Sequence, residues 1–591
     1  MIHFTGRRLP MNRILKILLV FFIFLQRLIP YAAVTAETHY FQALGAPSER
    51  KVDVSWNRYH DCEGLANILK QLNTAFPDLI RLYSIGKSYE EREIWCLEVT
   101  NRECGDPQRK AGMYIDGNIH GNEVQAGEVV AYTAWYLCES YGKVETITKL
   151  LDERVFYLLP TINPDGRDYW FYSPNTPHSS RSGKKPVDND RDGLFDEDGT
   201  DDLDGDGVIA TMRKLDPNGR WKPHPDHPEY LMIRAKPDEK GMYSILGSEG
   251  IDNDGDGEIN EDGPGGYDSN RNWAFDWQPN YVQYGAQEYP FCLPNTRAVA
   301  EFVLSHPNIA AAQSYHNAGG MILRSPGREG GEMAREDNEI LQTIAARGER
   351  ILPFYRSMRV WPDLYTVWGG EIDWFYGGRG ILTFTNELWS GKNLYRADDA
   401  DEAAQLEFDR YVLQSQAAVK WREYDHPTYG KIEIGGWRKE FGRVPPSFLL
   451  EEECHRNMAF TLYHAQAMPL LSFGEITMEK IGDNVSKIWI EIKNDGMIPT
   501  RTRQDANHNI SLPDFVSFEG NEIHVLSSGR VTDPYFKQVE AVKVRPHQLK
   551  IDSIPGLNSI RVQFIAIGKG PAIVTVDSVK GGLHKKEIRL E

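Results

Sequence analysis

A change of hydrophobic period near residue 469 constrains the fold more than any other feature of the chain. Before it, helical and strand-like text alternate. Leu65, Ile68, Leu69 and Leu72 recur at helical spacing, and Pro77 ends that helix. Ile94–Val99, Met113–Ile115 and Val155–Leu159 read as strands, and Glu123 to Leu137 reads as a helix. This alternation predicts an α/β domain built on a mixed or parallel sheet covered by helices. Pro445-Pro446 opens a last helix, Phe448 to Ala467. Beyond it the apolar residues alternate singly, in Ile488-Trp489-Ile490-Glu491-Ile492, Glu522-Ile523-His524-Val525, Ser559-Ile560-Arg561-Val562 and Ala572-Ile573-Val574-Thr575-Val576. Turn signals stand at Asn494-Asp495-Gly496 and Lys580-Gly581-Gly582. Residues 469–591 are therefore expected to form a β-sandwich.

The N-terminus reads as an export signal. Residues 1–36 contain no acid, Arg7, Arg8, Arg13 and Lys16 precede an apolar run at Ile17–Leu25, and Val34-Thr35-Ala36 offers the small residues of a cleavage site. The run is short against the roughly twenty residues of a spanning helix, so no stable membrane span is expected after cleavage. An uncleaved anchor is the alternative. The protein is expected to be secreted or periplasmic. Lys and Arg number 66 against 85 Asp and Glu, a net charge of −19, which argues against a nucleic-acid partner. The six cysteines show no CxxC spacing; Cys96 and Cys104 either pair across a turn or stay free. Oligomeric state is not legible.

Three features carry metal-hydrolase chemistry. His120-Gly121-Asn122-Glu123 follows the strand-like Met113–Ile115, and residues three apart at a helix start can face one ion. Catalytic zinc usually takes three such protein ligands and keeps a position open. Ser314-Tyr315-His316 closes another apolar run and supplies a distant third ligand. Thr383-Phe384-Thr385-Asn386-Glu387-Leu388 brings Glu387 to the end of a strand, where a carboxylate beside the metal serves as general base. A second group binds anions. Asn270-Arg271 sets a guanidinium beside an amide, Arg213 is a further cation, and Tyr365 precedes Gly369-Gly370-Glu371-Ile372-Asp373.

In this order the motifs resemble the zinc metallocarboxypeptidase family, of the carboxypeptidase A and carboxypeptidase E type, over roughly residues 55 to 425. Gly86 to Arg92 and Asn163-Pro164-Asp165-Gly166 belong to the same resemblance. It implies a mixed-sheet fold with helices on both faces, spanning 37–468. It implies one catalytic zinc on His120, Glu123 and His316, with zinc-bound water activated by Glu387. It also implies that Arg213 stabilises the oxyanion, Asn270 and Arg271 clamp the substrate's terminal carboxylate, and Tyr365 folds over bound substrate. Ile372 aligns with the residue that sets side-chain preference and suggests an apolar one; Glu371, turned inward, would favour Lys or Arg. Asn122 departs from the carboxypeptidase A pattern, which has Arg there. The expected activity is removal of the C-terminal residue from peptides or proteins. A zinc amidase or cell-wall peptide hydrolase of the same fold, and an inactive peptidase-like binding protein, are the alternatives.

Residues 180–267 read as an insertion rich in Asp, Gly, Pro and Lys. From Asp188 to Asp206 ten of nineteen residues are acidic. Asp188, Asp190, Asp192 and Asp196 follow a calcium-loop spacing, repeated by Asp202, Asp204 and Asp206 and again by Asp252, Asp254 and Asp256. Alternate oxygens can surround a hard cation, and the intervening glycines permit the sharp turn. Calcium is the expected ion.

Overall fold

The strands of the first domain are apolar on both sides because both faces of their sheet are covered. The computed structural model describes residues 43–395, 401–533, 535 and 538–591; the expected signal, 1–36, lies outside the described residues. The chain divides into units of residues 1–48 and 49–591, and all that follows belongs to the second. In chain order come β1 (Ile80–Lys87), β2 (Glu93–Val99), β3 (Ala111–Gly117) and β4 (Arg154–Leu159). Four short strands follow in the insertion, β5 (Thr211–Leu215), β6 (Trp221–Pro223), β7 (Met232–Arg234) and β8 (Tyr243–Ser248). Then come β9 (Ile309–Asn317), β10 (Met321–Arg324), β11 (Arg356–Arg359) and β12 (Leu382–Leu388), and last the hairpin β13 (Ala418–His426) and β14 (Gly430–Trp437).

The main sheet has eight strands in the order β1-β2-β4-β3-β9-β12-β10-β11. It is mixed: β3 runs parallel to β4 and β9, β9 to β12 and β10 to β11, whereas β1 meets β2, β2 meets β4 and β10 meets β12 antiparallel. Successive side chains of a strand point to opposite faces. Met113, Ile115, Phe156 and Leu158 accordingly enter one core with the helices Gln125–Ser140, Arg335–Ile351 and Ser447–Gln466. Tyr114, Val155, Tyr157 and Leu159 enter the other, with Val299 and Phe302 of the helix Pro294–Ser305.

One expectation is corrected. His120 and Glu123 do not open the helix, which spans Gln125–Ser140; they occupy the turn before it, where the Glu123 amide donates to the His120 carbonyl. Within the insertion, β5 to β8 join β13 and β14 in a six-stranded sheet, order β13-β14-β5-β8-β6-β7. These insertion strands are too short to show a period in sequence. All six cysteines are free, so Cys96 and Cys104 do not pair.

The C-terminal strands form a five-stranded and a four-stranded antiparallel sheet. Ile488, Ile490, Ile492, Val562 and Phe564 of one face Val516, Phe518, Val574 and Val576 of the other across a shared core. The sandwich grips the turn before β12. Thr502 Oγ1 and Lys580 Nζ donate to the Gly380 carbonyl at 3.0 and 3.1 Å, and Lys580 pairs with Asp505 at 3.1 Å, both buried. Among the described residues no helix is long and apolar enough to cross a membrane.

Candidate metal centre

Three strand ends build the site. β3 delivers the chain to His120 and Glu123, β9 carries His316, and β12 sets Glu387 directly opposite His316 in parallel register. Gly121 is required in the first turn, since a Cβ there would lie 2.3 Å from the Gly166 and Ser180 backbones. His120 Nδ1 stands 3.0 Å from Glu123 Oε1, His316 Nδ1 stands 3.0 Å from Glu123 Oε2, and the two Nδ1 atoms are 3.2 Å apart. All three residues are at most 2% exposed. Ligands on zinc bonds of ~2.0–2.1 Å in a tetrahedron stand about 3.3 Å apart, so the donor set of two imidazoles and a carboxylate fits that ion. Glu123 thus turns both carboxylate oxygens toward imidazole nitrogens, Oε1 to His120 and Oε2 to His316, as a shared metal would require.

The second layer orients the first. Asp268 Oδ1 accepts from His120 Nε2 at 3.0 Å, an arrangement that fixes the tautomer and aims Nδ1 inward. Burial alone would raise the Asp268 pKa, but Arg181, Arg271 and His120 outweigh it and hold the carboxyl well below its ordinary value. Burial would likewise raise Glu123, and His120 and His316 hold it low. Glu387 is pushed up to about 7, by burial first and by the Glu123 carboxylate second.

Arg271 is 8% exposed, donates to the Asn270 carbonyl at 2.8 Å and stands 3.9 Å from Asp268. Asn270 Oδ1 accepts from the Glu371 amide at 2.8 Å, tying this segment to the helical turn Glu371–Asp373 that holds Ile372. Ile372 packs with Leu323, Val360 and Val367. Tyr365 is 56% exposed. Glu371 is buried and accepts from Ser314 Oγ at 2.9 Å.

Arg213 is not brought to this site. Its guanidinium lies 4.1 Å from the Trp421 ring and 4.4 Å from that of Tyr243, and Nε donates to Glu433 at 2.9 Å. It braces the six-stranded sheet. The cation at the centre is Arg181, missed because it sits where the insertion text begins. Its carbonyl accepts from the Gly121 amide at 2.9 Å, and its side chain reaches Asp268 at 2.9 Å and Glu123 at 3.5 Å. A second missed cation, Arg443, lies 3.2 Å from Glu123.

The acidic loops gather carboxylates. Potential ligand atoms converge in the groups Asp188, Asp190 and Asp262; Asp190, Asp192 and Glu197; Asp198, Asp254 and Glu261; and Asp202, Asp204 and Asp206. Asp196 turns to the Val187 amide, and Asp252 and Asp256 accept amides within their own loop.

A family model described as zinc carboxypeptidase matches residues 65–410, and the chain belongs to that family. Residues 470–589 match a domain of unknown function. Human carboxypeptidase D is 36% identical over 112 residues, covering 18% of this chain and 8% of that protein. A protein named inactive metallocarboxypeptidase ECM14 from Ajellomyces capsulatus (strain H143) is 32% identical over 140 residues, 24% of this chain and 23% of that one. The chain thus spans less than a quarter of these relatives' lengths. The crystal structure of thrombin activatable fibrinolysis inhibitor covers 69% of this chain and 77% of its own, with 18% identity and a TM-score of 0.43.

Proposed function

We propose that this protein is an extracytoplasmic zinc carboxypeptidase that removes the C-terminal residue of peptides or proteins. The observation that supports it most is the placement of Glu387 opposite His316, beside the convergent His120, Glu123 and His316. Zinc held by those three residues would act as a Lewis acid toward the scissile carbonyl and lower the pKa of the attacking water. Glu387 takes the water's proton and returns it to the leaving amine, a role for which a value near neutrality is suited. Arg181, rather than Arg213, meets the negative charge that develops on the carbonyl oxygen. Arg271 receives the substrate's terminal carboxylate, with Asn270 beside it, and exposed Tyr365 covers the bound residue. Ile372 and its apolar neighbours favour an apolar C-terminal side chain. The export reading rests on the text of residues 1–36, and the acidic loops are read as calcium sites from their all-oxygen donors.

The test is mass spectrometry of a peptide library after incubation, with zinc quantified in the same sample. Loss of single C-terminal residues is expected. Internal cleavage, or no cleavage by zinc-loaded protein, overturns the reading.

A further inference from the structure

Arg443 lies in the segment between the β14 hairpin strand and the helix Ser447–Gln466. Its neighbour Val444 packs in one apolar cluster with Val124 and Trp170, and Val124 directly follows Glu123. This anchor carries the guanidinium to the metal centre. Nη2 stands 3.2 Å from Glu123 Oε1 and donates to the Asn317 carbonyl at 2.7 Å, and Nη1 is 3.2 Å from His178 Nδ1. Among the described residues the buried Nε–H has no partner. The side chain is 16% exposed, so a ligand can reach it.

A chain of ion pairs links the charges across the site. Arg271 stands 3.9 Å from Asp268, Asp268 stands 2.9 Å from Arg181, Arg181 stands 3.5 Å from Glu123, and Glu123 stands 3.2 Å from Arg443. Arg271 and Arg443 are its two ends. A substrate whose terminal carboxylate sits on Arg271 brings its scissile carbonyl to the metal centre, and Arg443 borders that centre through Glu123. The pairing of charges is also unequal. Arg181 has Asp268, and Arg271 awaits the terminal carboxylate. Among the described residues the carboxylate paired with Arg443 is Glu123, which the proposed zinc would claim as a ligand. His178 and the Asn317 carbonyl remain. Burial together with Arg443 and Arg181 holds His178 below its ordinary pKa, and a neutral imidazole offers no negative charge to balance the guanidinium. A largely enclosed cation with a free donor is a receptor for an anion.

We propose that Arg443 binds a carboxylate on the substrate residue N-terminal to the scissile bond, so that acidic penultimate residues are preferred. This deepens the carboxypeptidase reading and rests on it. Full-length, zinc-loaded protein is given two peptides that share a C-terminal Leu and differ only in a penultimate Glu or Gln. The Glu peptide should show kcat/KM at least about tenfold higher, the factor that a charge-assisted hydrogen bond supplies. Arg443→Gln should bring the ratio to about one, while Arg443→Lys should keep part of it. Zinc content is measured in each variant, and calorimetry compares binding of both peptides to Glu387→Gln with and without Arg443→Gln. Equal cleavage of both peptides by the unsubstituted protein overturns the proposal but spares the carboxypeptidase reading. Cleavage of neither overturns that reading, and equal calorimetric affinities then overturn the proposal as well. Loss of zinc in Arg443→Gln and Arg443→Lys alike, with no peptide discrimination, makes Arg443 a support for Glu123 instead.

Discussion

Asp198 and Asp262 pair across one antiparallel bridge, and each places its carboxylate in the other's loop. Asp262 accepts from the amides of Asn189 and Asp196 and converges with Asp188 and Asp190. Asp198 accepts from the Asn260 amide and converges with Asp254 and Glu261. Both are fully buried. Arg181 precedes this crossed pair in the chain and Asp268 follows it, so the clasp closes the insertion on the metal centre.

Calcium should therefore raise the melting temperature and protect residues 180–267 from proteolysis, by mass action on the folded form. A calcium-selective chelator is applied with zinc held saturating, and Tm and peptidase activity are followed. Asp262→Asn should weaken the loop at Asp188 and Asp190, and Asp198→Asn the loop at Asp254. Unchanged Tm and activity, with no calcium in the purified protein, would sink the claim.

Glu387→Gln should keep zinc and lose nearly all turnover, because an amide cannot accept the proton of water. Elemental analysis and peptide kinetics on the same sample check this. Turnover like that of the unsubstituted protein would remove Glu387 from the mechanism.

Peptides with an amidated C-terminus should be poor substrates. Arg271 would lose its carboxylate partner, and a charged hydrogen bond is worth about 1.5–3 kcal/mol, so kcat/KM should fall at least about tenfold. Matched acid and amide peptides decide the matter; equal rates would point to an endopeptidase or amidase.

Glu453 offers a test by pH. Burial pushes it from its ordinary value near 4.5 up to about 7, and Tyr355 donates to it at 2.8 Å. A carboxyl whose folded pKa is raised stabilises the protein below the unfolded value and loses that contribution as pH rises through the folded one. At ~1.4 kcal/mol per unit, up to about 3 kcal/mol is lost across this window. Glu453→Gln keeps an acceptor for Tyr355 and removes the titration. Urea unfolding at pH 5 and pH 8 should show the variant gaining on the unsubstituted protein at the higher pH.

Asp505→Ala should leave Lys580 and Arg501, which it contacts at 3.1 and 3.2 Å, as buried cations without their carboxylate. Removing one side of a buried pair costs about 3–5 kcal/mol. Because Lys580 also holds the Gly380 carbonyl, the sandwich and the peptidase domain should then unfold in two denaturant transitions in place of one.

His120, Glu123, His316 and Glu387 were legible because each sits where an apolar run ends, and strand ends converge in a mixed sheet. The alternation in residues 488–576 announced the sandwich for a similar reason: one face of each strand meets a core. Arg213 misled because a basic residue in a short strand gives no sign of which sheet that strand joins. Arg181 was concealed by the acidic text that follows it. Arg443 reaches Glu123 from 320 residues away, and nothing local marks such a contact. The strands β6 and β7 span three residues each, too few for a period to declare itself.

His120 and His316 are 196 residues apart in sequence, and Arg443 lies farther on still. Contacts of such separation form late, because the chain must close a long loop before they stabilise anything. The half-made polypeptide on a ribosome therefore holds the parts of this centre without its geometry. A nascent chain should be unable to cut peptides until the helix Ser447–Gln466 has emerged and packed against Gln125–Ser140. The order of the chain thus holds back the assembly of this centre until the helix Ser447–Gln466 has been made.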